Sequence, residues 1–198
     1  MAIKLASIFF TMILVDNYVL AKFLGICPFL GVSKKLDSAV GMSLAVTFVM
    51  VMATAATWPL YMGILAPTGL EYLQTIVFIL VIAILVQLLE NFLKKFIPAL
   101  YKSLGVYLPL ITTNCTILGV TILNLDNGYS FPESIVCAAG AGIGFLVAMV
   151  LFSGVRRKVE QAIVPECFKG LPITLVAAAM TSLSFMGFGG IVEAIFGV

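Results

Sequence analysis

The sequence predicts an all-α membrane protein. We expect six transmembrane helices arranged as two inverted three-helix repeats, with helices one and four broken. Three features predict this fold: an apolar composition, long stretches without charge, and a short internal repeat. Of the 198 residues, 62% are hydrophobic and 10% are charged, and the mean hydropathy is +1.20. Soluble domains carry about 25% charged residues, so a soluble enzyme, a disordered segment and a secreted disulfide scaffold are excluded.

The first apolar segment, residues 5–32, is the irregular one. Asp16, Asn17 and Lys22 interrupt it, and as one straight helix it would be about 42 Å long. The hydrocarbon core of a bilayer is only about 30 Å thick, so we expect a break or a re-entrant piece. Asp16 and Lys22 are six residues apart and would not share a helix face, so no local ion pair is predicted.

The other five spans are stretches without any charged side chain. About 20 apolar residues are enough for one crossing. The uncharged runs are residues 38–70, 72–89, 103–125, 134–155 and 170–192. Six spans leave almost nothing for an aqueous domain, so the sequence predicts one integral membrane domain, 1–198, with repeats at roughly 1–98 and 99–198.

The basic residues predict the orientation. Nine of the 11 lie in the loops after spans one, three and five: Lys34, Lys35, Lys94, Lys95, Lys102, Arg156, Arg157, Lys158 and Lys169. Because cytoplasmic loops are enriched in Lys and Arg, these loops are predicted to be cytoplasmic and both termini to be outside. Lys4 is the exception. The net charge of +2 does not suggest a nucleic-acid partner.

A short motif occurs twice, which predicts the inverted repeat. Residues 27–32 and 115–120 both read C-x-x-L-G-V, and each lies in the first span of its half. Three spans per half reverse the membrane orientation, so the halves are related by an axis in the membrane plane. Gly and Pro flank both motifs, with Pro109 and Gly119 around the second, which favours broken helices. Two such helices entering from opposite faces would bring Cys27 and Cys115 close together.

The four cysteines are Cys27, Cys115, Cys137 and Cys167, and the chain has no His and no C-x-x-C motif. A self-contained zinc or iron–sulfur loop is therefore excluded by spacing. A buried cysteine is commonly just a small hydrophobic residue, which is how we interpret Cys137 and Cys167. For the repeated pair we favour half of a four-cysteine iron–sulfur site, with the other two thiolates supplied by a second chain.

Three blocks resemble the RnfA family of Rnf complexes: residues 16–35 (DNYVLAKFLGICPFLGVSKK), 108–115 (LPLITTNC) and 185–190 (FMGFGG). NqrE, the related protein of the sodium-pumping quinone reductase, is similar but less close, because Cys-Thr is expected there in place of Cys27-Pro28. The resemblance covers essentially the whole chain. It implies a membrane component of an ion-translocating ferredoxin:NAD⁺ oxidoreductase in the inner (plasma) membrane of a prokaryotic cell, not catalytic on its own.

The resemblance also implies a cofactor and partners. Cys27 and Cys115 would ligate half of a [2Fe–2S] cluster, and RnfE, a paralogous Rnf component of inverted topology, would ligate the other half. The remaining Rnf components (B, C, D and G) would carry the nicotinamide and ferredoxin chemistry. Asn114, Thr112 and Thr113 are candidate donors to the sulfur atoms.

Asp16 and Asn17 are candidates for a cation path, because an intramembrane charge is a functional candidate by default. Asp16 could equally cap the inner helix of a broken span. Two other classes of protein remain open from the sequence: a small-solute transporter or its membrane-embedded binding component, and a structural scaffold for redox partners. Iron and labile sulfide in the purified complex would discriminate among the three.

Overall fold

The computed structural model describes residues 2–33, 36–69, 71–96, 108–162 and 164–187, and all regular structure in these ranges is helical. The α-helices are α1 (Ala2–Leu14), α2 (Ile26–Val32), α3 (Leu36–Leu60), α4 (Gln74–Phe96), α5 (Leu108–Thr112), α6 (Cys115–Asp126), α7 (Phe131–Glu160) and α8 (Leu171–Met186). The π-turn Tyr61–Leu65 and the α-turn Ala66–Thr68 continue α3. Lys34, Lys35, Lys102 and the end of the 185–190 block lie outside the described residues.

Three of the described helices are long and apolar enough to cross a membrane: Leu36–Thr68, Gln74–Phe92 and Phe131–Glu160. Three shorter apolar helices, Lys4–Leu14, Leu110–Asp126 and Leu171–Met186, lie in the sequence segments predicted as spans one, four and six. The predicted class, an all-α membrane protein, is therefore confirmed at the level of helix content, length and composition.

Helices α3 and α7 form the centre of the structure and run antiparallel. Near the end of α3, the Trp58 Nε1 donates to the Tyr129 carbonyl oxygen at 3.1 Å, and its ring contacts Phe131 at the start of α7. Further along, Gly142 of α7 faces Thr47 of α3 so closely that an added Cβ would lie 2.4 Å from the Thr47 methyl group. Gly142 thus permits the close approach of the two backbones.

Helix α1 runs parallel to α7 along its first half. Lys4 Nζ lies 2.7 Å from Glu133 Oε1 at the start of both helices. Further along, a Cβ on Gly140 would lie 3.4 Å from Met12 Cβ, and one on Gly144 would lie 2.9 Å from the Met12 carbonyl oxygen. The ion pair gives a reason for Lys4, the basic residue that departs from the charge pattern: its partner Glu133 lies in the first turn of α7.

The expected interruption of the first apolar segment is present. Helix α1 ends at Leu14 and α2 begins at Ile26. The connection is not helical, and it brings Lys22 Nζ to 3.9 Å from Asp16 Oδ1 and 5.1 Å above the Tyr18 ring. The prediction that Asp16 and Lys22 do not pair was therefore wrong, because it applied helix periodicity to a segment that is not a helix.

The helix is also interrupted just before the second motif, at a different residue from Pro109 and Gly119, which the sequence indicated. Helix α5 ends at Thr112, and Asn114 is the N-cap of α6. Gly119, expected to mark the break, lies inside α6, where a Cβ would come 2.7 Å from the Leu24 side chain. Its small size serves the contact between the two motif segments rather than a turn.

Helices α4 and α8 lie on the outside of the described structure. The Ser182 hydroxyl of α8 donates to the carbonyl oxygen of Leu20 in the irregular connection. The outward surfaces of the two helices are apolar, with exposed side chains at Ile76, Ile79, Leu80, Ile84, Leu88, Phe92, Leu171, Leu175, Val176, Met180, Leu183 and Met186. An apolar exterior of this extent is typical of a protein whose solvent is lipid.

Candidate functional site

The structure brings the two interrupted segments together. Cys27 is the second residue of α2, Cys115 is the first residue of α6, and both are free and exposed. The backbone N–H of Gly25, two residues before Cys27, donates to the Cys115 sulfur at 2.9 Å. The loop that leads into the first cysteine therefore contacts the second cysteine directly. That the sulfur atoms of Cys27 and Cys115 themselves lie close together stays a prediction.

Gly25 makes the contact possible in two ways. Its φ of +81° lies in the left-handed region that favours glycine. In addition, an added Cβ would lie 2.2 Å from Thr116 Oγ1 and 3.1 Å from the Phe145 ring. The sequence marks Gly25 only as a helix breaker. The hydrogen bond to Cys115 was missed, because no local sequence pattern gives a signal for it.

Asn114 begins the second cysteine helix. It is buried, and its side-chain oxygen accepts the Thr116 backbone N–H at 3.0 Å, which caps α6. Asn114 Nδ2 and the Thr116 hydroxyl are buried without a hydrogen-bond partner among the described residues. Thr112 and Thr113 lie beside Cys115 in the lining of a cavity of about 270 Å³ against α4. All three predicted donors are thus next to the cysteine.

Asn17 organises the first interruption. Its Nδ2 donates to the Gly144 carbonyl oxygen of α7 at 2.8 Å and to the Ile13 carbonyl oxygen at 3.3 Å. Its Oδ1 accepts the N–H groups of Val19 and Leu20. The amide is thereby bonded to backbone at both ends. The cation path assigned to Asp16 and Asn17 stays a prediction.

The interruptions lie level with the middle of the longest helix. Helix α7 has 30 residues, so it is about 45 Å long, and Phe145, which contacts Gly25, is at its midpoint. From this level α2 runs toward Arg156, whose Nη1 donates to the carbonyl oxygen of Leu30 and, at 2.7 Å, to the Ser33 hydroxyl. Helix α6 runs the opposite way, and its Asn124 Nδ2 donates to the Ser134 carbonyl oxygen at 3.3 Å.

Both cysteines therefore sit in the first turn of helices that diverge from a common level. The partial positive charge of a helix is at its N-terminus, so the longer helix, α6, directs that charge toward the Cys115 sulfur. Cys137 is buried within α7, and Cys167 lies in the 3-10 turn Glu166–Phe168. In the described part of the chain, no group of three or more His, Cys, Asp or Glu is arranged to hold a metal ion.

Comparison with known proteins gives the family. Residues 5–192 match the model of the Rnf-Nqr family, described as membrane protein subunits. The chain is 55% identical over 180 residues to the A component of the ion-translocating oxidoreductase complex of Syntrophotalea carbinolica, covering 91% of this chain and 93% of the relative.

Two further relatives agree. The chain is 53% identical over 186 residues to the A component of the Na⁺-translocating ferredoxin:NAD⁺ oxidoreductase complex of Acetobacterium woodii, with 94% of this chain and 97% of the relative covered. It is 51% identical over 181 residues to the A component of the ion-translocating oxidoreductase complex of Aliivibrio salmonicida, with 91% and 94% covered. These matches confirm the resemblance to RnfA proteins. The chain belongs to the Rnf-Nqr family of membrane protein subunits, on the RnfA branch.

Proposed function

We propose that this chain is the membrane component of an ion-translocating ferredoxin:NAD⁺ oxidoreductase that holds half of a [2Fe–2S] cluster through Cys27 and Cys115. A paralogous protein of inverted topology, RnfE, supplies the other two thiolates, and the electron flow is coupled to transport of Na⁺ or H⁺. The observation that carries the proposal is the hydrogen bond from Gly25 N–H to the Cys115 sulfur, which ties the two cysteine segments into one exposed site.

The residues present fit such a group. An iron–sulfur cluster is held by cysteine thiolates, and two free, exposed cysteines begin helices that meet at one level. The buried amino group of Asn114, which has no partner in the described residues, is a further donor beside Cys115. Because the described chain offers no third ligand near the pair, a four-thiolate cluster requires a second protein chain.

The exposure of this region also supports a partner. Ala21, Lys22 and Phe23 are exposed beside the cysteines, and Phe23 has a φ of +55°. Irregular backbone is tolerated at mid-membrane depth only where protein or an aqueous cavity covers it. We therefore infer that another protein surface packs at the level of this region, halfway along α7. We assign that surface to the paralogous RnfE protein.

The direction of the helices supports the inverted repeat. Helix α3 runs antiparallel to α7, and α2 and α6 leave the interruptions in opposite directions. The repeated motif matches α2 with α6, and the helix that follows each of them, α3 and α7, with one another. An axis in the membrane plane, passing near Gly25 and Cys115, would exchange the halves at roughly 1–98 and 99–198.

The mechanism assigns separate tasks to the residues of this chain. When bound, the cluster supplies a one-electron centre within hydrocarbon that is about 30 Å thick. The Gly25 N–H donates to the Cys115 sulfur and thereby fixes its position beside the loop that leads to Cys27. Asn114 fixes the start of α6, and Phe145, which is 1% exposed, excludes water behind the loop. Asp16, half-exposed and paired with Lys22, is the proposed contact with the transported cation.

The proposal is tested on the complex purified with its partner proteins. Cys27→Ser and Cys115→Ser should each abolish the electron paramagnetic resonance signal of the cluster and lower iron and labile sulfide. Cys167→Ser is the matched control, because Cys167 is an exposed, free cysteine outside the site. Intact signals in both site variants would overturn the ligand assignment, and solute binding without iron would favour a transporter.

A further inference from the structure

A polar cavity lies at the end of α7 that carries the basic residues, away from Cys27 and Cys115. It has a volume of about 340 Å³ and is enclosed by the last turns of α7, the connection to α8 and the first turn of α8. Its charged lining residues are Arg156, Glu160 and Lys169. With two cations against one carboxylate, the lining of the cavity carries a net positive charge.

The charged side chains of the cavity differ in their burial and in the strength of their ion pairs. The Arg156 side chain is only 11% exposed, and its Nε lies 3.4 Å from Glu160 Oε1. Lys169 pairs with Glu166 at 3.7 Å, but both side chains are largely exposed. A pair of this kind contributes little to stability. Lys169 can therefore exchange Glu166 for a stronger anionic partner, whereas Glu160 remains balanced by Arg156.

The start of α8 adds to the positive potential. Its N-cap is Gly170, and no side chain caps the helix. The helix has 16 residues, so the partial positive charge of its N-terminus acts in the same direction as the two cations. The cavity with its cationic side chains carries the argument, and the helix terminus strengthens it.

An apolar surface continues from the cavity along α8. Leu171 lines the cavity and is exposed, and Leu175, Met180 and Leu183 are exposed further along the helix. A free phosphate ion would make no use of this surface. A phospholipid would, because its headgroup could occupy the cavity while an acyl chain lies along α8.

We propose that this cavity binds the headgroup of an anionic phospholipid of the cytoplasmic leaflet. The phosphate lies between Arg156 and Lys169, and one acyl chain packs on the exposed leucines of α8. Basic cavities between transmembrane helices on the cytoplasmic side are suited to anionic headgroups. The site is separate from Cys27 and Cys115, and its existence does not depend on the function proposed for them.

The test uses the intact complex, purified in detergent and stripped of lipid, and measures lipid binding by native mass spectrometry. Dioleoyl-phosphatidylglycerol is the anionic probe and dioleoyl-phosphatidylcholine the zwitterionic one. Phosphatidylglycerol should bind at least about ten-fold more tightly. Because a charge-assisted hydrogen bond to the phosphate contributes about 1.5 kcal/mol or more, Lys169→Gln should weaken phosphatidylglycerol binding at least about ten-fold.

Lys158→Gln is the matched control, since it likewise removes one positive charge, from the last turn of α7, but Lys158 does not line the cavity. It should change phosphatidylglycerol binding less than about two-fold, because it retains both cations of the cavity. Equal weakening by both variants would show nonspecific charge attraction and overturn the proposal, as would equal binding of the two lipids. Displacement of phosphatidylglycerol by an equal concentration of inorganic phosphate would reassign the cavity to a free anion and likewise overturn it.

Discussion

Replacement of Gly25 by Ala tests the contact between the two cysteine segments. The new Cβ would lie 2.2 Å from Thr116 Oγ1 and 3.1 Å from the Phe145 ring. Overpacking of this kind costs about 1–3 kcal/mol, and a left-handed conformation costs a residue with a side chain roughly 1–2 kcal/mol more. We therefore expect Gly25→Ala to destabilise the site by about 2–5 kcal/mol and to move the Gly25 N–H away from Cys115.

The measurement is the temperature at which half of the purified complex leaves its size-exclusion peak, together with its iron content. Both should fall for Gly25→Ala. Adding Thr116→Ala removes the closest clashing atom, so the double variant should recover part of the loss; this is a double-mutant cycle. Gly154→Ala is the control, because a Cβ at Gly154 of α7 meets nothing within 4 Å and Ala favours a helix.

Two results would refute this reasoning. The first is a Gly25→Ala complex as heat-stable and as rich in iron as the Gly154→Ala complex. The second is a cycle in which Thr116→Ala changes the stability equally in the presence and absence of Gly25→Ala. Either outcome would mean that Gly25 does not approach Thr116 as the structure describes.

Three further predictions test the packing of α7 against its neighbours, each by the same thermal assay. Asn17→Ala should cost about 3 kcal/mol or more, because it leaves a carbonyl of α7 and two backbone N–H groups unpaired; unchanged stability would contradict it. Glu133→Ala should be more destabilising than Lys4→Met, because Glu133 binds Lys4 and also completes the capping box of α7; the reverse order would contradict it. Gly142→Ala should cost about 1–3 kcal/mol through its clash with Thr47, and an effect like that of Gly154→Ala would contradict it.

The sequence predicted the parts of the fold that depend on composition and on interruptions. Uncharged runs located the apolar helices, because a charge is costly in hydrocarbon wherever it falls in the chain. Asp16 and Asn17 marked the first interruption for the same reason. The repeated motif predicted that Cys27 and Cys115 lie close together; the structure shows a hydrogen bond from Gly25, two residues before Cys27, to the Cys115 sulfur.

The details of the interruptions could not be predicted, because they depend on contacts between segments far apart in the chain. The Asp16–Lys22 pair forms only because the backbone between them is not helical. Asn17 stands out in the sequence by its polarity, but its partner Gly144 is 127 residues away. Gly119 has the character of a helix breaker, although its role is to admit Leu24. Periodicity and spacing contain no information about such pairs.

Cys115 has a structural role in addition to its proposed ligand role, and the two can be separated. Residues 15–25 lie level with the middle of α7, where an unpaired N–H is costly. The N–H groups of Val15, Asp16, Ala21 and Leu24 are paired with carbonyl oxygens, and those of Val19 and Leu20 with the Asn17 side chain. In the described part of the chain, the Gly25 N–H is paired through the Cys115 sulfur.

Cys115→Ser retains an acceptor near the sulfur position, whereas Cys115→Ala retains none. We therefore expect both variants to lose the cluster signal but only the alanine variant to lose stability beyond that, by about 1–3 kcal/mol for the orphaned N–H. Cys27 accepts no hydrogen bond from the described residues, so Cys27→Ser and Cys27→Ala should unfold at the same temperature. Equal stability of the two Cys115 variants would show that the Gly25 N–H finds another acceptor. Cys115 would then have its proposed ligand role but no structural role.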